Sequence, residues 1–208
     1  MTFRAVEQLK SVSIILSEDT RETGKILAKY EITKPQISYR DQNHQKVIAE
    51  IIDILKSGQD AALVSDSGTP LISDPGFKLV KELIDNGIDV KVIPGPSAVV
   101  SALVVSGLPT DKFCFLGFLP KSKGQIEKIL KSYGALDGTL IIYESPNRIL
   151  RLLDEILENL GNRKIAVVSE LTKIYEKVFR GKVEDVKKQM QEKNVRGEFV
   201  VLVAKEDF

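Results

Sequence analysis

Three short polar segments each follow an apolar run of the length of a buried strand. They are residues 17–21 (Ser-Glu-Asp-Thr-Arg), residues 65–70 (Ser-Asp-Ser-Gly-Thr-Pro) with their continuation 74–76 (Asp-Pro-Gly), and residues 94–98 (Pro-Gly-Pro-Ser-Ala). Carboxylates such as Glu18, Asp19 and Asp66 can bind hydroxyls or accept protons, and glycine and proline shape turns that bring backbone to a ligand. Ligands of open α/β sheets bind beyond the carboxyl ends of the strands, so these loops predict a binding site.

Each of these loops also has a plainer interpretation as an ordinary turn. Asp66 could be a solvated turn residue, and Asp19 or Thr20 could cap the helix that follows while Arg21 pairs with a carboxylate. A capping role and a role in the site are compatible for Asp19. The recurrence of such loops after successive strands favours the functional interpretation.

Several other chemistries lack the motif that they need. The chain has no Gly-x-Gly-x-x-Gly after a strand, no Walker A sequence and no Gly-x-Ser-x-Gly nucleophile elbow. These absences argue against nicotinamide-dependent hydride transfer, phosphoryl transfer and hydrolysis by a serine triad. The single histidine, His44, lies in a polar stretch before a predicted helix and is interpreted as a surface residue.

Composition narrows the class of protein further. The 208 residues are 43% hydrophobic and 28% charged, with a formal net charge of +1, so any RNA-binding surface must be a local patch. One cysteine, Cys114, excludes a disulfide within the chain, and one cysteine with one histidine exclude a zinc site built from those residues. Cys114 is interpreted as a buried core thiol. Because no apolar run is long enough to span a bilayer and no signal peptide opens the chain, we expect a cytoplasmic protein without a membrane partner.

Short apolar runs alternate with helical patterns along the chain. Strands are predicted at residues 12–16, 36–39, 61–64, 90–93, 113–118, 139–143, 164–169, 175–180 and 198–204. Helices are predicted at residues 20–30, 43–57, from 74 to the glycine at 87, 97–106, 125–133, from 145 onward, and 183–191.

This alternation predicts an α/β fold of two α/β domains. The N-terminal sheet is expected to be mainly parallel and the C-terminal sheet mixed. Residues 108–111 (Leu-Pro-Thr-Asp) are the best linker, so the predicted domains are residues 1–108 and 112–208.

The loops resemble the tetrapyrrole methylase superfamily. The segment Ser-Asp-Ser-Gly-Thr-Pro-Leu-Ile-Ser-Asp-Pro-Gly at residues 65–76 is similar to its cofactor loop, in the form typical of the branch that methylates ribosomal RNA. Further matches run in order along nearly the whole chain: residues 18–21 (Glu-Asp-Thr-Arg), 94–98, 117–120 (Gly-Phe-Leu-Pro), 143–148 (Tyr-Glu-Ser-Pro-Asn-Arg), 170–173 (Glu-Leu-Thr-Lys) and 196–198 (Arg-Gly-Glu). Each short match is weak alone, whereas the ordered set is specific.

The resemblance implies a homodimer in which S-adenosyl-L-methionine lies in a cleft between the two domains, with no metal required. The cofactor-binding residues that it implies are Asp66, Ser67, Gly68, Thr69, Pro70, Pro94, Gly95, Pro96, Ser97 and Ala98 from the first domain, with Tyr143 and Glu144 from the second.

The RNA branch implies 2′-O-methylation of a cytidine ribose in small-subunit ribosomal RNA. A ribose hydroxyl is a weak nucleophile until its proton is drawn off, so a carboxylate or lysine must lie nearby. The candidate catalytic residues are Glu18, Asp19, Arg21 and Lys173, and Glu144 and Glu170 are further candidates for the base. The sequence does not choose among them, and Lys173 could equally be a solvated loop residue.

Contacts with RNA are expected from basic residues. Arg21 and Arg148 could hold phosphate, although an ion pair with a nearby carboxylate is an equal alternative for Arg148. Lys121 and Lys123, followed by Lys128 and Lys131, could form a basic face toward RNA or the solvated face of an amphipathic helix.

One departure from the family concerns the start of the chain. The family has a further strand and a Gly-Asn-Leu loop before the segment that matches residues 2–5. That strand would lie inside the sheet, so its absence is expected to leave hydrogen-bonding groups open on two neighbouring strands. We interpret Met1 as an internal methionine or the start of a shortened chain.

Two other functions fit the same sequence. The first is methylation of a tetrapyrrole, such as a corrinoid or sirohaem precursor, although the Ser-Gly-Thr-Pro and Glu-Asp-Thr-Arg motifs favour RNA. The second is a cofactor-free protein that binds RNA or assists assembly. Stabilisation of the protein by S-adenosylmethionine separates this last alternative from the other two.

Overall fold

The computed structural model describes residues 1–192 and 197–208 and contains two compact units, residues 1–97 and 98–208. The predicted division lay later, at residues 108–111. The units divide earlier because the helix at Ala98–Ser106 is apolar on all sides, and its Val99 and Leu103 join the core of the second sheet. Ala98, predicted as a cofactor contact of the first domain, therefore begins the second unit.

The first unit alternates helices and strands. Its elements are α1 (Phe3–Ser11), β1 (Ile14–Ser17), α2 (Thr20–Lys29), β2 (Gln36–Ser38), α3 (His44–Lys56), β3 (Ala61–Val64) and α4 (Phe77–Asp85). The strands form a parallel sheet of order β2-β1-β3, with Ile15 between Gln36 and Ala62. The predicted parallel sheet is confirmed, whereas α1 was not predicted.

The helices of the first unit are amphipathic and pack by their apolar stripes. Ile48 and Ile51 of α3, one turn apart, are buried with Leu79 of α4 and Leu16 of β1. This packing fixes the β1 strand, and with it the loop that leaves the strand's carboxyl end.

The strand predicted at residues 90–93 does not form. Val92 is 73% exposed and Val90 is 41% exposed, and within residues 1–97, all of which the structure describes, the segment pairs with no strand. β3 is hydrogen-bonded to β1 on one side and is an edge of its sheet. A short apolar segment becomes a strand only when a neighbouring strand takes its hydrogen bonds, and within residues 1–97 no strand is paired with this one.

The interpretation of His44 as a surface residue is wrong, since its side chain is only 4% exposed. Its Nδ1 lies 3.0 Å from the hydroxyl of buried Tyr39, and its Nε2 lies 2.9 Å from a carboxylate oxygen of Glu82. Burial raises the pKa of Tyr39 to about 12. The polar sequence around His44 concealed a buried link between the segment after β2 and α4.

The second unit contains a mixed sheet. Its elements are α5 (Ala98–Ser106), β4 (Phe113–Phe118), α6 (Lys123–Tyr133), β5 (Thr139–Glu144), α7 (Ile149–Leu160), β6 (Lys164–Ser169), β7 (Lys177–Lys182), α8 (Val183–Glu192) and β8 (Phe199–Val203). The strand order is β4-β5-β8-β6-β7, with β4 parallel to β5 and the other neighbours antiparallel. The predicted mixed sheet is confirmed.

Helices cover both faces of this second sheet. Leu130 of α6, Leu153 of α7 and Val186 of α8 pack on one face, and α5 packs on the other. β8, inside the sheet, is buried at every residue. No helix in the described part of the chain is long and apolar enough to cross a membrane.

Candidate functional site

The loop after β1 centres on the carboxylate of Asp19. This residue caps α2: its Oδ1 accepts hydrogen bonds from the backbone N of Arg21 at 2.9 Å and from the Nε of Arg21 at 3.0 Å, and its Oδ2 accepts one from Nη2 at 2.6 Å. These bonds lower the pKa of Asp19 and raise that of Arg21. Asp19 is therefore firmly ionised, and both plain interpretations, a helix cap and an ion pair with Arg21, are present together.

A second set of hydrogen bonds joins this loop to the loop after β3. The backbone N of Asp66 donates to Oε2 of Glu18 at 3.2 Å, and the backbone N of Asp19 donates to Oδ1 of Asp66 at 3.1 Å. The carboxyl ends of β1 and β3 meet because the strands are parallel neighbours. Glu18, Asp19, Arg21 and Asp66, chosen from the sequence, thus belong to one network.

The loop after β3 is also tied to the proline-rich segment before α5. The hydroxyl of Thr69 donates to the carbonyl of Pro96 at 2.8 Å, and that of Ser65 donates to the carbonyl of Ser67 at 3.1 Å. The predicted cofactor residues that are exposed here are Asp66, Ser67, Gly68, Pro94, Gly95 and Pro96, while Thr69, Pro70 and Ser97 are half-buried. Two loops far apart in sequence therefore present accessible backbone together.

Gly68 leaves space beside that backbone. Its φ is +70°, and a Cβ built on it would meet no atom within 4 Å. This residue is therefore required for its conformation, and the side of the loop that it leaves open is accessible. An extended ligand with hydroxyl, amino and carboxylate groups fits such a surface of backbone donors and acceptors.

Asp74 belongs to the predicted loop, but it was not among the predicted catalytic or cofactor-binding residues. The helix predicted from residue 74 begins instead at Phe77, with Gly76 at its cap position. Burial raises the pKa of Asp74, and the negative charges of Glu18 and Asp66 raise it further. A carboxyl group with a raised pKa near other carboxylates is typical of functional sites.

The chain reaches Asp74 through a strained turn. Leu71 and Ser73 have positive φ values of 74° and 65°. Gly76, at φ +132°, packs so tightly that a Cβ there would lie 2.7 Å from Leu63, and its N donates to Oδ1 of Asp41. Left-handed backbone at residues other than glycine costs free energy and is concentrated at functional sites.

Arg40 is a second residue missed from the sequence. It follows β2, and its Nε donates to the carbonyl of Glu18 at 2.9 Å while its Nη2 lies 3.7 Å from Oδ2 of Asp19. Its position depends on β2 lying beside β1, which the spacing of the sequence does not reveal.

In the second unit, Tyr143 and Glu144 end β5. The ring of Tyr143 makes edge contacts with Phe115 and Phe118, with ring centroids 4.8 and 5.5 Å away. The carboxylate of Glu144 is 1% exposed; its Oε1 accepts from the N of Ser145 at 2.7 Å. Glu144 is thus held within its own unit.

Arg148 faces inward beside Glu144. Its Nη2 lies 3.2 Å from Oε2 of Glu144 and donates to the carbonyls of Leu119 and Pro120 at 2.9 Å each. The ion pair offered as the alternative for this residue is therefore present. The helix expected from residue 145 begins at Ile149, because Arg148 stands at its cap position.

Lys173 lies in a loop where two carboxylates bind its amino group. Its Nζ is 2.9 Å from Glu198 and 3.2 Å from Glu170, and the hydrogen bonds that it donates to these carboxylates raise its pKa. The pKa of Glu170 is lowered, chiefly by the hydrogen bond from the backbone of Glu198. With these pKa shifts, neither the Lys173 ammonium group nor the Glu170 carboxylate readily accepts a proton at neutral pH. Arg196, part of the resemblance in this loop, lies outside the described residues.

The two lysines expected to face RNA lie at the start of α6 and are exposed. Lys123 pairs with Glu158 of α7 at 2.8 Å, and the hydrogen bond raises its pKa. Lys121 precedes the helix and is exposed as well.

Comparison with known proteins identifies the family. Residues 1–187 match the model for the Tetrapyrrole (Corrin/Porphyrin) Methylases. A Thermotoga maritima protein named ribosomal RNA small subunit methyltransferase I is 44% identical over 204 residues, covering 98% of this chain and 91% of its own. A Bacillus subtilis protein of the same name is 44% identical over 203 residues, covering 98% of this chain and 70% of its own.

Solved structures share the fold at much lower identity. A cobalt precorrin-4 methyltransferase superposes with a TM-score of 0.69 at 17% identity, covering 98% of this chain and 88% of its own. A uroporphyrin-III C-methyl transferase from Thermus thermophilus, complexed with S-adenyl homocysteine, gives 0.62 at 18% identity, covering 99% of this chain and 91% of its own. With the family match over nine-tenths of the sequence, these likenesses show that the chain belongs to the tetrapyrrole methylase family.

Proposed function

We propose that the protein transfers a methyl group from S-adenosyl-L-methionine to the 2′-oxygen of a cytidine ribose in small-subunit ribosomal RNA. The observation that carries the proposal is the hydrogen-bonded group of loops in the first unit, where Asp66 joins Glu18 and Asp19, and Thr69 joins Pro96. The RNA substrate is supported by relatives that are 44% identical and bear the name of a ribosomal RNA methyltransferase.

The cofactor expected from the resemblance agrees with the methylase family and with S-adenyl homocysteine in a protein of the same fold. Its proposed contacts are residues 66–70 and 94–98, with Tyr143 and Glu144 from the second unit. The exposed backbone around Gly68 supports the first of these sets. When bound, the cofactor supplies a methyl carbon already activated by a sulfonium, so the chain's own residues mainly position the reactants.

The reaction requires the hydroxyl proton of the ribose to leave as the new oxygen–carbon bond forms. Of the proposed catalytic residues, Asp19 has a lowered pKa and Lys173 a raised one, so both are poor proton acceptors at neutral pH. We assign the acceptor role to Glu18 together with Asp74, because Glu18 lies in the hydrogen-bonded loops after β1 and β3 and burial raises the pKa of nearby Asp74. Asp19 and Lys173 then act by holding other charged groups in place.

The contacts with RNA expected from the sequence are Arg21, Lys121, Lys123 and Arg148, and we keep the first three as proposed contacts. Arg21 is 85% exposed and Lys123 is 55% exposed, which supports contact with phosphate. Arg148 is 25% exposed and bound to Glu144, so we assign it to supporting the end of β5. The homodimer remains part of the proposal and rests on the resemblance; sedimentation equilibrium tests it.

The direct test is methyl transfer from radiolabelled S-adenosylmethionine to small ribosomal subunits that lack their methylations, followed by digestion of the RNA to nucleosides. We expect label in the ribose of cytidine, and none when fully methylated subunits are the substrate. Label in a base would contradict the proposed position. Cofactor binding without transfer to RNA would instead favour a tetrapyrrole substrate.

The acceptor assignment has a matched set of variants. Glu18→Gln and Asp74→Asn should each lower kcat by about 100-fold or more, because a neutral amide cannot take the proton. Glu50→Gln, on the exposed face of α3, serves as the control. If both site variants keep the parent's kcat, the acceptor lies elsewhere.

A further inference from the structure

Two arginines from different strand ends converge on one carboxylate in the first unit. Arg21, in the first turn of α2, binds Asp19 through two guanidinium nitrogens, Nε at 3.0 Å and Nη2 at 2.6 Å. Arg40 comes from the segment after β2, and its Nη2 lies 3.7 Å from the same Oδ2 of Asp19. A further hydrogen bond, from Nε to the carbonyl of Glu18 at 2.9 Å, fixes the plane of Arg40.

The two arginine side chains are more exposed than the side chain of Asp19, so a ligand in solvent meets positive charge first. The side chain of Arg21 is 85% exposed and that of Arg40 is 51% exposed, whereas that of Asp19 is 13% exposed. A ligand approaching from solvent therefore reaches two guanidinium groups before it reaches the carboxylate beneath them.

Neighbouring acidic groups have other hydrogen-bond or ion-pair partners, while the charges of Glu22 and Asp66 still act on Arg21 and help to raise its pKa. Glu22 pairs with Lys25 at 2.7 Å, Glu18 accepts from the backbone of Asp66, and Asp66 accepts from the backbone of Asp19. Each guanidinium carries more N–H donors than its internal partners take up, so donors remain for an external anion. Planar guanidinium groups held at a fixed angle match the oxygens of a phosphate, which a mobile lysine does not.

We propose that Arg40 and Arg21 together bind one backbone phosphate of the RNA substrate, and that Asp19 is the positioning residue that holds both guanidinium groups in place. The inference rests on the proposed function, since it takes RNA as the substrate, and it adds Arg40 and the role of Asp19. This paired clamp of Arg21 and Arg40 lies beside Asp66 and the loop after β3. A phosphate held there would therefore place its nucleotide at the proposed site.

The first test measures how binding of transcribed, unmodified small-subunit ribosomal RNA depends on salt. Losing one phosphate contact makes the slope of log affinity against log salt concentration shallower by about 0.7 for single-stranded RNA. Because both arginines are needed to hold the one phosphate, we expect Arg40→Ala and Arg21→Ala each to lose that contact and reduce the slope by this amount, with no larger reduction when they are combined, and Arg40→Lys to keep the slope while weakening the affinity. Arg4→Ala, an exposed arginine of α1, should leave the slope unchanged.

The second test asks whether Asp19 acts by orienting the two arginines or only through its negative charge. Asp19→Asn keeps a residue that caps helices well but removes the anion that orients both arginines. If only net charge mattered, removing a negative charge would tighten RNA binding, as expected for the control Glu22→Gln. We expect Asp19→Asn to bind RNA several-fold more weakly than Glu22→Gln.

The outcomes distinguish this inference from the proposed function. An unchanged slope for Arg40→Ala, with a reduced slope for Arg21→Ala, would overturn the paired clamp and leave RNA methylation intact. Tighter RNA binding by Asp19→Asn would overturn the positioning role. If the parent protein bound neither the transcript nor small ribosomal subunits, both the inference and the proposed function would fail.

Discussion

Polar residues of the loop after β3 are exposed in the first unit, whereas in the second unit the carboxylate at the end of β5 is buried. In the first unit, the loop after β3 exposes Asp66 and Gly68 to solvent. In the second, Glu144 at the end of β5 is 2% exposed and is bound by Arg148. The sequence motifs are equally polar in both places. A polar strand end therefore becomes a candidate site only when its donors and acceptors remain accessible after folding.

The β8 strand of the second unit is also more deeply buried than the β3 strand of the first. β8 of the second unit is buried at every residue because it lies between β5 and β6 with helices on both faces. β3 of the first unit is an edge strand and is half-buried throughout. We therefore expect substitutions in the second unit to act mainly on stability, and substitutions around the first unit's loops to act mainly on binding and catalysis.

The largest stability effect is expected for Arg148→Ala. The change leaves the buried carboxylate of Glu144 without its cation and should lower the free energy of unfolding by about 3 kcal/mol. Urea unfolding measures it. The control is Arg4→Ala, an exposed arginine of α1. Equal stability of the two variants, with weakened RNA binding for Arg148→Ala, would make Arg148 a phosphate contact instead.

A smaller loss is expected for Gly76→Ala in the first unit. Its φ of +132° and the 2.7 Å approach to Leu63 should cost about 1–3 kcal/mol and displace the turn that carries Asp74. Cofactor affinity, measured by calorimetry, should fall as well. Gly124→Ala in α6, where a Cβ meets no atom within 4 Å, should instead raise stability by about 0.5–1 kcal/mol. A Gly76→Ala protein with normal stability and cofactor affinity would contradict the strained-turn account.

Asp74→Asn should raise the stability of the protein while lowering its activity. Since burial raises the pKa of Asp74 above its ordinary value of 3.8, the ionised carboxyl opposes folding above that range. The variant should therefore melt about 2 °C higher at pH 7 while losing activity, and the thermal difference should disappear as pH falls toward 4. A variant that melts lower than the parent at pH 7 would show that Asp74 is held by stabilising bonds.

The smallest effect is expected at Asp137, an exposed carboxylate of the second unit that binds Lys112 and Lys205. The hydrogen bond from Lys112 contributes most to lowering its pKa to about 2. A lowered pKa means that the stabilisation is present above the ordinary value of 3.8 and is lost as pH falls toward 2. Asp137→Asn should lower the melting temperature slightly at pH 7 in low salt, and not in high salt. A salt-independent loss would point to a packing role.

Much of the fold could be predicted because it depends on local pattern. The β3 strand was predicted at the residues where it forms, since a short apolar run between a helix-ending glycine and a turn is a local signal. The strand predicted at residues 90–93 failed because strand formation depends on a neighbour, which a local pattern does not contain.

The candidate site was predictable in part for the same reason. Glu18, Asp19 and Asp66 follow strands directly, so their grouping followed from parallel pairing. Arg40 required knowledge that β2 lies beside β1. Residues 74–76 were part of the predicted loop, but the position of Asp74 depends on left-handed residues at Leu71 and Ser73. Residues that reach a site through tertiary neighbours or unusual backbone carry no signal in sequence spacing.

The most direct measurement of the central claim is calorimetric binding of S-adenosylmethionine to the parent, Asp66→Asn and Asp60→Asn. The two aspartates flank β3, with Asp66 at its carboxyl end and exposed Asp60 at its amino end. We predict that the parent and Asp60→Asn bind alike, and that Asp66→Asn binds at least about tenfold more weakly, a difference of about 1.4 kcal/mol. Equal binding by all three proteins, or weaker binding only for Asp60→Asn, would contradict a cofactor site at the carboxyl ends of the first unit's strands.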